Sequence, residues 1–283
     1  MDIILLLATI LLMSVDGVLS KTFNKKTNNR GAFLFCGISC TTGCLYFFIT
    51  GGCKLDLNMA ILPYVLAFAA AYAITIVCSF MAVRTGPLSL SALALAYSAV
   101  IPTLFGLFYY REESSVLFFI GIAMMVTSIF LVTKAKDDKK ISLKWAIFAL
   151  ATFLFNGTCS TVQTLQQKVF FGEYKNELMV LSLGIAAVTI FCIALWQERK
   201  DLSACIKNGL VLGVAKGSFN GMMNFLVMVL ALRMASSLLF PILSVGTILA
   251  SSAFSVLIYK EKLSRQQYIG LAVGLAAIVL LNL

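Results

Sequence analysis

Lys216, Asn220 and Asn224 form a polar stripe inside an apolar segment of the chain, residues 208–232. They are four residues apart, so on a helix all three lie on one face. If this segment spans a bilayer, a lysine at its centre costs ~3 kcal/mol on insertion scales, and such a group is functional by default. We predict that the stripe binds an anionic group of a small-molecule substrate. The structural alternative is a lysine that extends to the interface or pairs with a fixed acid.

A second stripe runs along the same segment with a period of four. Its members are glycines that form three consecutive GxxxG motifs, a pattern typical of very close contact between two helices. We predict a helix-packing role for this stripe, which also leaves space beside the lysine for another backbone or a ligand. The glycines are Gly209, Gly213, Gly217 and Gly221.

Asp16 is the second charged residue that lies inside an apolar segment, within the sequence MSVDGVLSK. A buried carboxyl group that gains and loses a proton would couple ligand movement to proton movement. We therefore interpret Asp16 as a candidate coupling residue for protons or for another ion. Two structural alternatives stay open: a salt bridge to Lys216, and a hydrated helix end, because Asp16 lies about five residues before the basic end of its segment.

Uncharged polar residues mark further positions at mid-depth. Asn156 and Gln163 are seven residues apart and share one helix face. Tyr72 and Tyr97 lie inside two other apolar segments. Each is a candidate substrate contact in a central cavity, because polar groups at this depth occur where protein or water meets them. An interhelical hydrogen bond is the alternative for each of the four.

The composition indicates that most of the chain lies in a lipid bilayer. Of the 283 residues, 60% are hydrophobic and only 12% are charged, with a mean hydropathy of +0.97, whereas soluble domains carry roughly 25% charged residues. Apolar runs of about 20 residues, long enough to cross ~30 Å of hydrocarbon, recur from end to end. We predict an all-α polytopic membrane protein with ten transmembrane helices. The predicted spans are residues 2–20, 31–50, 59–82, 88–110, 115–133, 142–165, 177–196, 208–232, 236–258 and 267–283.

The net charge of +10 is unevenly distributed among the connections. Those after odd-numbered spans hold 16 of the 22 Lys and Arg residues, and those after even-numbered spans hold five. Because cations gather in cytoplasmic loops, this count favours both termini outside. It also explains the basic charge without nucleic acid as a partner. We expect a multi-pass protein of the bacterial inner membrane, as a monomer or a homodimer.

The sequence lacks histidine and the common motifs of metal sites and of catalysis. It contains no histidine, and its eight cysteines include no CxxC pair, so we predict no metal site. The stripe of Cys36, Cys40 and Cys44 is interpreted as a packing face. No Walker A, HExxH or GxSxG motif occurs. We therefore predict no ATP-driven pumping, no enzymatic activity, no catalytic residues and no cofactor.

The chain contains an internal repeat. Residues 84–131 align with residues 233–280 without a gap, and 11 of the 48 positions are identical. The pair YREESS…IG and YKEKLS…IG is the most distinctive part of this match. We predict two five-helix repeats, residues 1–133 and 141–283, that are joined by the basic linker 134–140. Since five is odd, the two copies enter the membrane from opposite sides, as in secondary transporters with inverted repeats.

This doubled arrangement resembles the EamA-like branch of the drug/metabolite transporter superfamily. The resemblance implies a secondary carrier of small organic solutes, often an exporter, that works by alternating access around a midplane cavity between the repeats. The sequence departs from the family pattern because the usual proline before the glutamate is replaced by Ala99 and Ile248, although Pro102 and Pro241 lie nearby. Many members also keep their termini in the cytoplasm, opposite to the charge count. A flippase for a lipid carrier or a lipid-like substrate is the alternative, and a membrane-embedded transferase is a more distant one.

Overall fold

The computed structural model describes residues 2–27, 30–56, 58–85, 88–112, 115–133, 142–199, 202–260 and 264–281. Within these ranges every regular element is a helix, and the predicted linker 134–140 lies outside them. The helices are α1 (Asp2–Thr27), α2 (Ala32–Thr50), α3 (Leu62–Thr85), α4 (Leu88–Tyr97), α5 (Val100–Tyr109), α6 (Val116–Thr133), α7 (Leu143–Val169), α8 (Lys175–Gln197), α9 (Leu202–Arg233), α10 (Ser236–Tyr259) and α11 (Arg265–Leu281).

Seven of the helices in the described ranges are long and apolar enough to cross a membrane. They are α1, α2, α3, α7, α8, α9 and α10, and three shorter apolar stretches lie in α4–α5, α6 and α11. An all-helical membrane protein is therefore confirmed. The arrangement of ten spans as two inverted groups of five stays a prediction.

The predicted span 88–110 is two helices, because the chain breaks at Ser98 and Ala99. Pro102 lacks the N–H that would bond to the Ser98 carbonyl, and its ring crowds that carbonyl. The N–H groups of Ser98 and Ala99 instead donate to carbonyls three residues back, at 3.3 and 3.4 Å. Pro241 has no such effect, since α10 continues through it.

The contacts between helices are symmetrical: when the first half of the chain is exchanged with the second, the same pairs of helices are in contact. Helix α1 packs against α9 and α10, while α7 packs against α3, α4 and α5. Helices α2 and α8 pack against each other, as do α6 and α11, and α5 packs against α10. Each pair has a counterpart if α1–α6 are exchanged with α7–α11. The predicted repeat would produce this pattern.

Polar contacts at the helix ends separate the two faces of the bundle. Arg233 at the end of α9 pairs with Asp2 at the start of α1, with 3.0 Å between Nη1 and Oδ1. At the opposite end, Glu198 after α8 accepts hydrogen bonds from the start of α2. The last turn of α1, which contains Lys25 and Lys26, therefore lies at the second face, away from the Arg233–Asp2 pair.

Candidate functional site

The glycine stripe of α9 lies against α2. A methyl carbon added at Gly213 would lie 2.9 Å from Ile38, and one at Gly221 would lie 2.7 Å from Tyr46. One added at Gly217 would lie 2.5 Å from the β carbon of Thr42 and would also overlap the carbonyl oxygen of Ser39. These glycines therefore let the backbones of α9 and α2 approach closely. Gly209, the first glycine of the stripe, is also buried.

The ammonium group of Lys216 contacts the carboxylate of Asp16 in an ion pair between α9 and α1. The two side chains are 15% and 18% exposed. Lys216 lies roughly 21 Å from the start of α9 and roughly 26 Å from its end, at 1.5 Å per residue. The pair therefore lies well inside the length of α9, and Asp16 provides the opposite charge that stabilises a lysine in this position.

One oxygen of Asp16 has no visible partner. Oδ2 contacts Lys216, whereas Oδ1 is buried and accepts no hydrogen bond from the part of the chain that the structure describes. A buried carboxylate oxygen without a donor is unfavourable and rare in folded proteins. Asp16 Oδ1 therefore lacks a hydrogen-bond donor among the described residues. A bound proton or a donor group of a ligand would supply one.

Thiol and phenol groups surround the ion pair. Cys36 and Cys40 on α2 lie within electrostatic range of Lys216, and Cys36 and Tyr72 lie within range of Asp16. The side chains of Tyr72 and Cys40 belong to one hydrophobic cluster. Tyr72 thus lies within electrostatic range of Asp16, and its contact with a substrate stays a prediction. Among the described residues no group of three His, Cys, Asp or Glu side chains is arranged to hold a metal ion.

Asn224 belongs to an amide cluster between α7 and α9. Its Oδ1 accepts a 2.8 Å hydrogen bond from Gln163 Nε2, and its Nδ2 donates to the carbonyl and side-chain oxygens of Asn220 at 2.9 and 3.0 Å. Gln163 and Asn224 are both buried. Their hydrogen bonds are made to each other, to Asn220 and, from Gln163 Nε2 at 3.6 Å, to the sulfur of Met179. Asn220, one helical turn from Lys216, is the member closest in sequence to the ion pair.

Asn156 and Tyr97 lie apart from the ion pair. Asn156 Nδ2 donates to Ser98 Oγ at 2.6 Å, which connects α7 to the break between α4 and α5. The hydroxyl of Tyr97 donates to the carbonyl of Val126 on α6 at 2.8 Å. Both residues therefore make the interhelical hydrogen bonds that the sequence left open as the alternative to substrate contact.

Glu112, whose side chain is 10% exposed, caps the start of a helix from a distant part of the chain. Its two oxygens accept the backbone N–H groups of Ser236 and Ser237 at 2.9 and 2.8 Å, at the start of α10. Lys168 donates to the same carboxylate at 3.0 Å and lies 3.7 Å from the centre of the Tyr110 ring. Burial raises the pKa of Glu112, but the hydrogen bonds from Ser237, Ser236 and Lys168 outweigh it and lower the pKa below its usual value.

Glu198 has the same function at the opposite face of the bundle. It is only 8% exposed, and its oxygens accept the N–H groups of Phe33 and Leu34 at 3.2 and 3.0 Å. Because the first N–H groups of a helix have no partner within the helix, a carboxylate at that end satisfies them. The only sequence signal for either cap was the repeated YREESS and YKEKLS pattern that contains Glu112.

Residues 143–283 match the sequence model of the EamA-like transporter family. This half of the chain belongs to the EamA-like transporter family. The match confirms the resemblance carried by the sequence motifs and is consistent with the drug/metabolite transporter superfamily. With its long apolar helices, this EamA-like protein is a multi-pass membrane protein.

The fold of this EamA-like protein is also found among solved structures. One crystal structure superposes with a TM-score of 0.80, covering 99% of this chain and 95% of that chain at 16% sequence identity. At this identity the likeness shows the fold alone. No curated protein sequence matches the chain at a significant level.

The EamA-like half supplies only one partner of the ion pair. Lys216, Asn220, Asn224 and Gln163 all lie within residues 143–283. Asp16 comes from the other half of the chain, which the family model does not cover. The ion pair therefore joins the matched half to the unmatched one.

We expect Glu112→Gln to lower the free energy of unfolding by about 1–2 kcal/mol, because it weakens a helix cap and removes a charged partner of Lys168. Because the pKa of Glu112 is lowered in the folded state, its stabilising contribution decreases as the pH falls. The stabilisation from Glu112 is fully present above the unfolded-state pKa of about 4.3 and is lost as the pH falls through the lower folded-state pKa.

Thermal denaturation of the wild type and Glu112→Gln between neutral and acidic pH measures both effects. The difference in stability should shrink as the pH falls. A difference that is constant over this range would contradict a stabilising role of the ionised carboxylate. Glu177→Gln, at an exposed contact with the backbone of Asp56, is the matched control and should have little effect.

Proposed function

We propose that this protein is a secondary transporter that binds a small organic solute through the Asp16–Lys216 pair. In this proposal an anionic group of the substrate, a carboxylate or a phosphate, binds the ammonium group of Lys216. Asn220, one turn away on the same helix, contributes a polar contact. Asn224 and Gln163 hold Asn220 in place through their hydrogen bonds.

The observation that carries this proposal is a largely buried ion pair between two helices from different halves of the chain. A buried pair of this kind is weak evidence for stability, because desolvation of both ions offsets most of their attraction. Intramembrane charges that face other helices commonly mark substrate or ion pathways instead. The family match supports transport as the class of function.

Alternating access in this proposal is a relative movement of the two halves. Helix α1 carries Asp16 and helix α9 carries Lys216, so a movement of one half against the other changes the surroundings of both charges. Substrate between the charges would favour a different spacing of α1 and α9 than the direct ion pair does. Ligand binding would thereby bias the equilibrium between the two arrangements.

The test is the thermal stability of the purified protein with a panel of small anionic, neutral and cationic metabolites. A ligand at 100 times its Kd stabilises the native state by about 2.7 kcal/mol. We expect anions to stabilise the wild type, and Lys216→Met to abolish this response. Lys54→Met, at an exposed position after α2, is the matched control and should retain it.

A second variant keeps the test decisive in case Lys216→Met does not fold. Asp16→Asn combined with Lys216→Met removes both charges and should stay folded while it loses the anion response. Any stabilising anion is then tested for counterflow in proteoliposomes, in which Lys54→Met should be active and the double variant inactive. If every ligand response survives in both Lys216 variants, the pair is structural and the proposed site is wrong.

A further inference from the structure

In the part of the chain that the structure describes, the charge of Asp16 is balanced by one contact, with Lys216. Lys216 contacts Oδ2, while Oδ1 is buried and accepts no hydrogen bond from the residues that the structure describes. An isolated buried carboxylate pays a desolvation penalty of several kcal/mol. Whatever takes Lys216 away from Asp16 therefore leaves a carboxylate that is strongly driven to become neutral.

The other groups that the structure describes around Asp16 do not carry a compensating positive charge. Helix α2 contributes the thiols of Cys36 and Cys40, and α3 contributes the phenol of Tyr72. Glu198, which interacts with Cys36, is an acid. Helix α10, which packs against α1, contains no charged residue. On α1 itself the next charged residue is Lys21, roughly 7.5 Å further toward the end of the helix.

We propose that Lys216 exchanges Asp16 for the anionic group of the substrate, and that Asp16 then takes up one proton from water. This inference rests on the proposed function and concerns the same site. The charges balance: the empty site carries one positive and one negative group, and the loaded site carries Lys216, a monoanion and a neutral carboxyl group. The only bond formed is the O–H bond of Asp16, and a monoanionic substrate is bound together with one proton.

Electroneutrality has a consequence for the transport cycle. The empty site and the loaded site both have zero net charge, so neither requires an unpaired ion inside the bundle while access changes. A monoanion released without its proton would leave a charged Lys216 beside a neutral Asp16, which is an unpaired ion inside the bundle. Ligand and proton therefore enter and leave together, and a zwitterion, which brings both charges, would bind without proton uptake.

Lys216→Met tests the exchange without any ligand. It removes the positive charge that a bound anion would otherwise draw away from Asp16. The infrared spectrum of Lys216→Met at neutral pH should contain the C=O band of one protonated carboxyl group, with a shift in deuterated water. The band should be absent from Asp16→Asn/Lys216→Met, which differs only at Asp16. If the two spectra are identical in the carboxyl region, Asp16 stays ionised and the exchange is wrong.

A second measurement uses the wild type, so that a folding defect in the variant does not decide the result. The probes are sodium monocarboxylates from acetate to hexanoate and benzoate, titrated calorimetrically in buffers of different protonation enthalpy. We expect one proton taken up per anion bound, and an apparent Kd that rises about tenfold per pH unit. In Asp16→Asn both the proton uptake and the pH dependence should disappear.

The two proposals fail in different ways. Binding of these anions to the wild type with zero protons taken up would overturn the exchange and leave anion binding at Lys216 standing. If none of the probes binds, both the exchange with a monoanion and the proposed anion site at Lys216 are wrong. The infrared comparison would still report the protonation of Asp16 in that case.

Discussion

Asp16→Asn is expected to lower the free energy of unfolding by about 3–5 kcal/mol, because it leaves the ammonium group of Lys216 buried without an opposite charge. For a chain of this size such a loss corresponds to a fall in Tm on the order of 10 °C. Thermal denaturation in a single detergent measures it. The asparagine keeps the shape of the side chain, so the effect comes from charge and not from a cavity.

Removal of both charges should restore most of this stability. In Asp16→Asn/Lys216→Met no ion remains to be compensated, and replacement of a whole buried pair by neutral groups is often neutral or stabilising. A double-mutant cycle therefore gives an interaction energy of opposite sign to the two single losses. If the double variant is as unstable as the sum of the single variants, the two charges do not act as a pair.

The exposed ion pair of Arg233 and Asp2 provides the matched control. Its side chains are 43% and 48% exposed, compared with 15% and 18% for Lys216 and Asp16. Exposed pairs contribute about 0–1 kcal/mol, so Asp2→Asn should be nearly neutral. An equal effect of Asp2→Asn and Asp16→Asn would mean that the depth of the ion pair in the bundle is energetically unimportant.

The local patterns of the sequence predict much of this fold. Apolar runs of about 20 residues locate the helices, because their length is set by the thickness of the bilayer. Where the prediction fails, the cause is also local: Pro102 ends the hydrogen bonding of one predicted span at Ser98 and divides it into α4 and α5. The bend was foreseeable from the proline, whereas the break at Ser98 and Ala99, where the N–H groups donate to carbonyls three residues back, was not.

The partners of the polar residues are less predictable, because they come from distant parts of the chain. Helical spacing places Lys216, Asn220 and Asn224 on one face, but it does not show that Asp16 reaches the lysine while Gln163 reaches Asn224. The two carboxylate caps are harder still. Glu112 satisfies N–H groups of a helix that begins 124 residues later, and no spacing rule connects the two.

Tyr97 illustrates why depth alone does not identify a site residue. It lies near the middle of a predicted span, as Tyr72 does, but its hydroxyl donates to a backbone carbonyl on α6. Tyr72 lies beside the ion pair because α3 packs close to α2, where its neighbour Cys40 is located. The difference depends on which helices are neighbours, and that information is in the tertiary structure.

Gly217→Ala is expected to lower the free energy of unfolding by about 3 kcal/mol, at the upper end of the usual cost of overpacking. The added carbon would overlap the carbonyl oxygen of Ser39 and lie 2.5 Å from the β carbon of Thr42. Backbone atoms do not move aside as a flexible side chain does, so α9 and α2 must separate. Thermal denaturation measures the loss.

Gly17→Ala is the control that distinguishes close packing from a general effect of glycine replacement. No atom lies within 4 Å of a methyl carbon added at Gly17, and alanine is favoured over glycine in a helix by roughly 0.5–1 kcal/mol. Gly17→Ala should therefore leave stability unchanged or raise it.

Separation of α9 from α2 would also move Lys216, which belongs to α9, relative to Asp16. Gly217→Ala should thus weaken the anion response as well, and a Gly217→Ala protein as stable as Gly17→Ala would show that α9 and α2 are not in close contact.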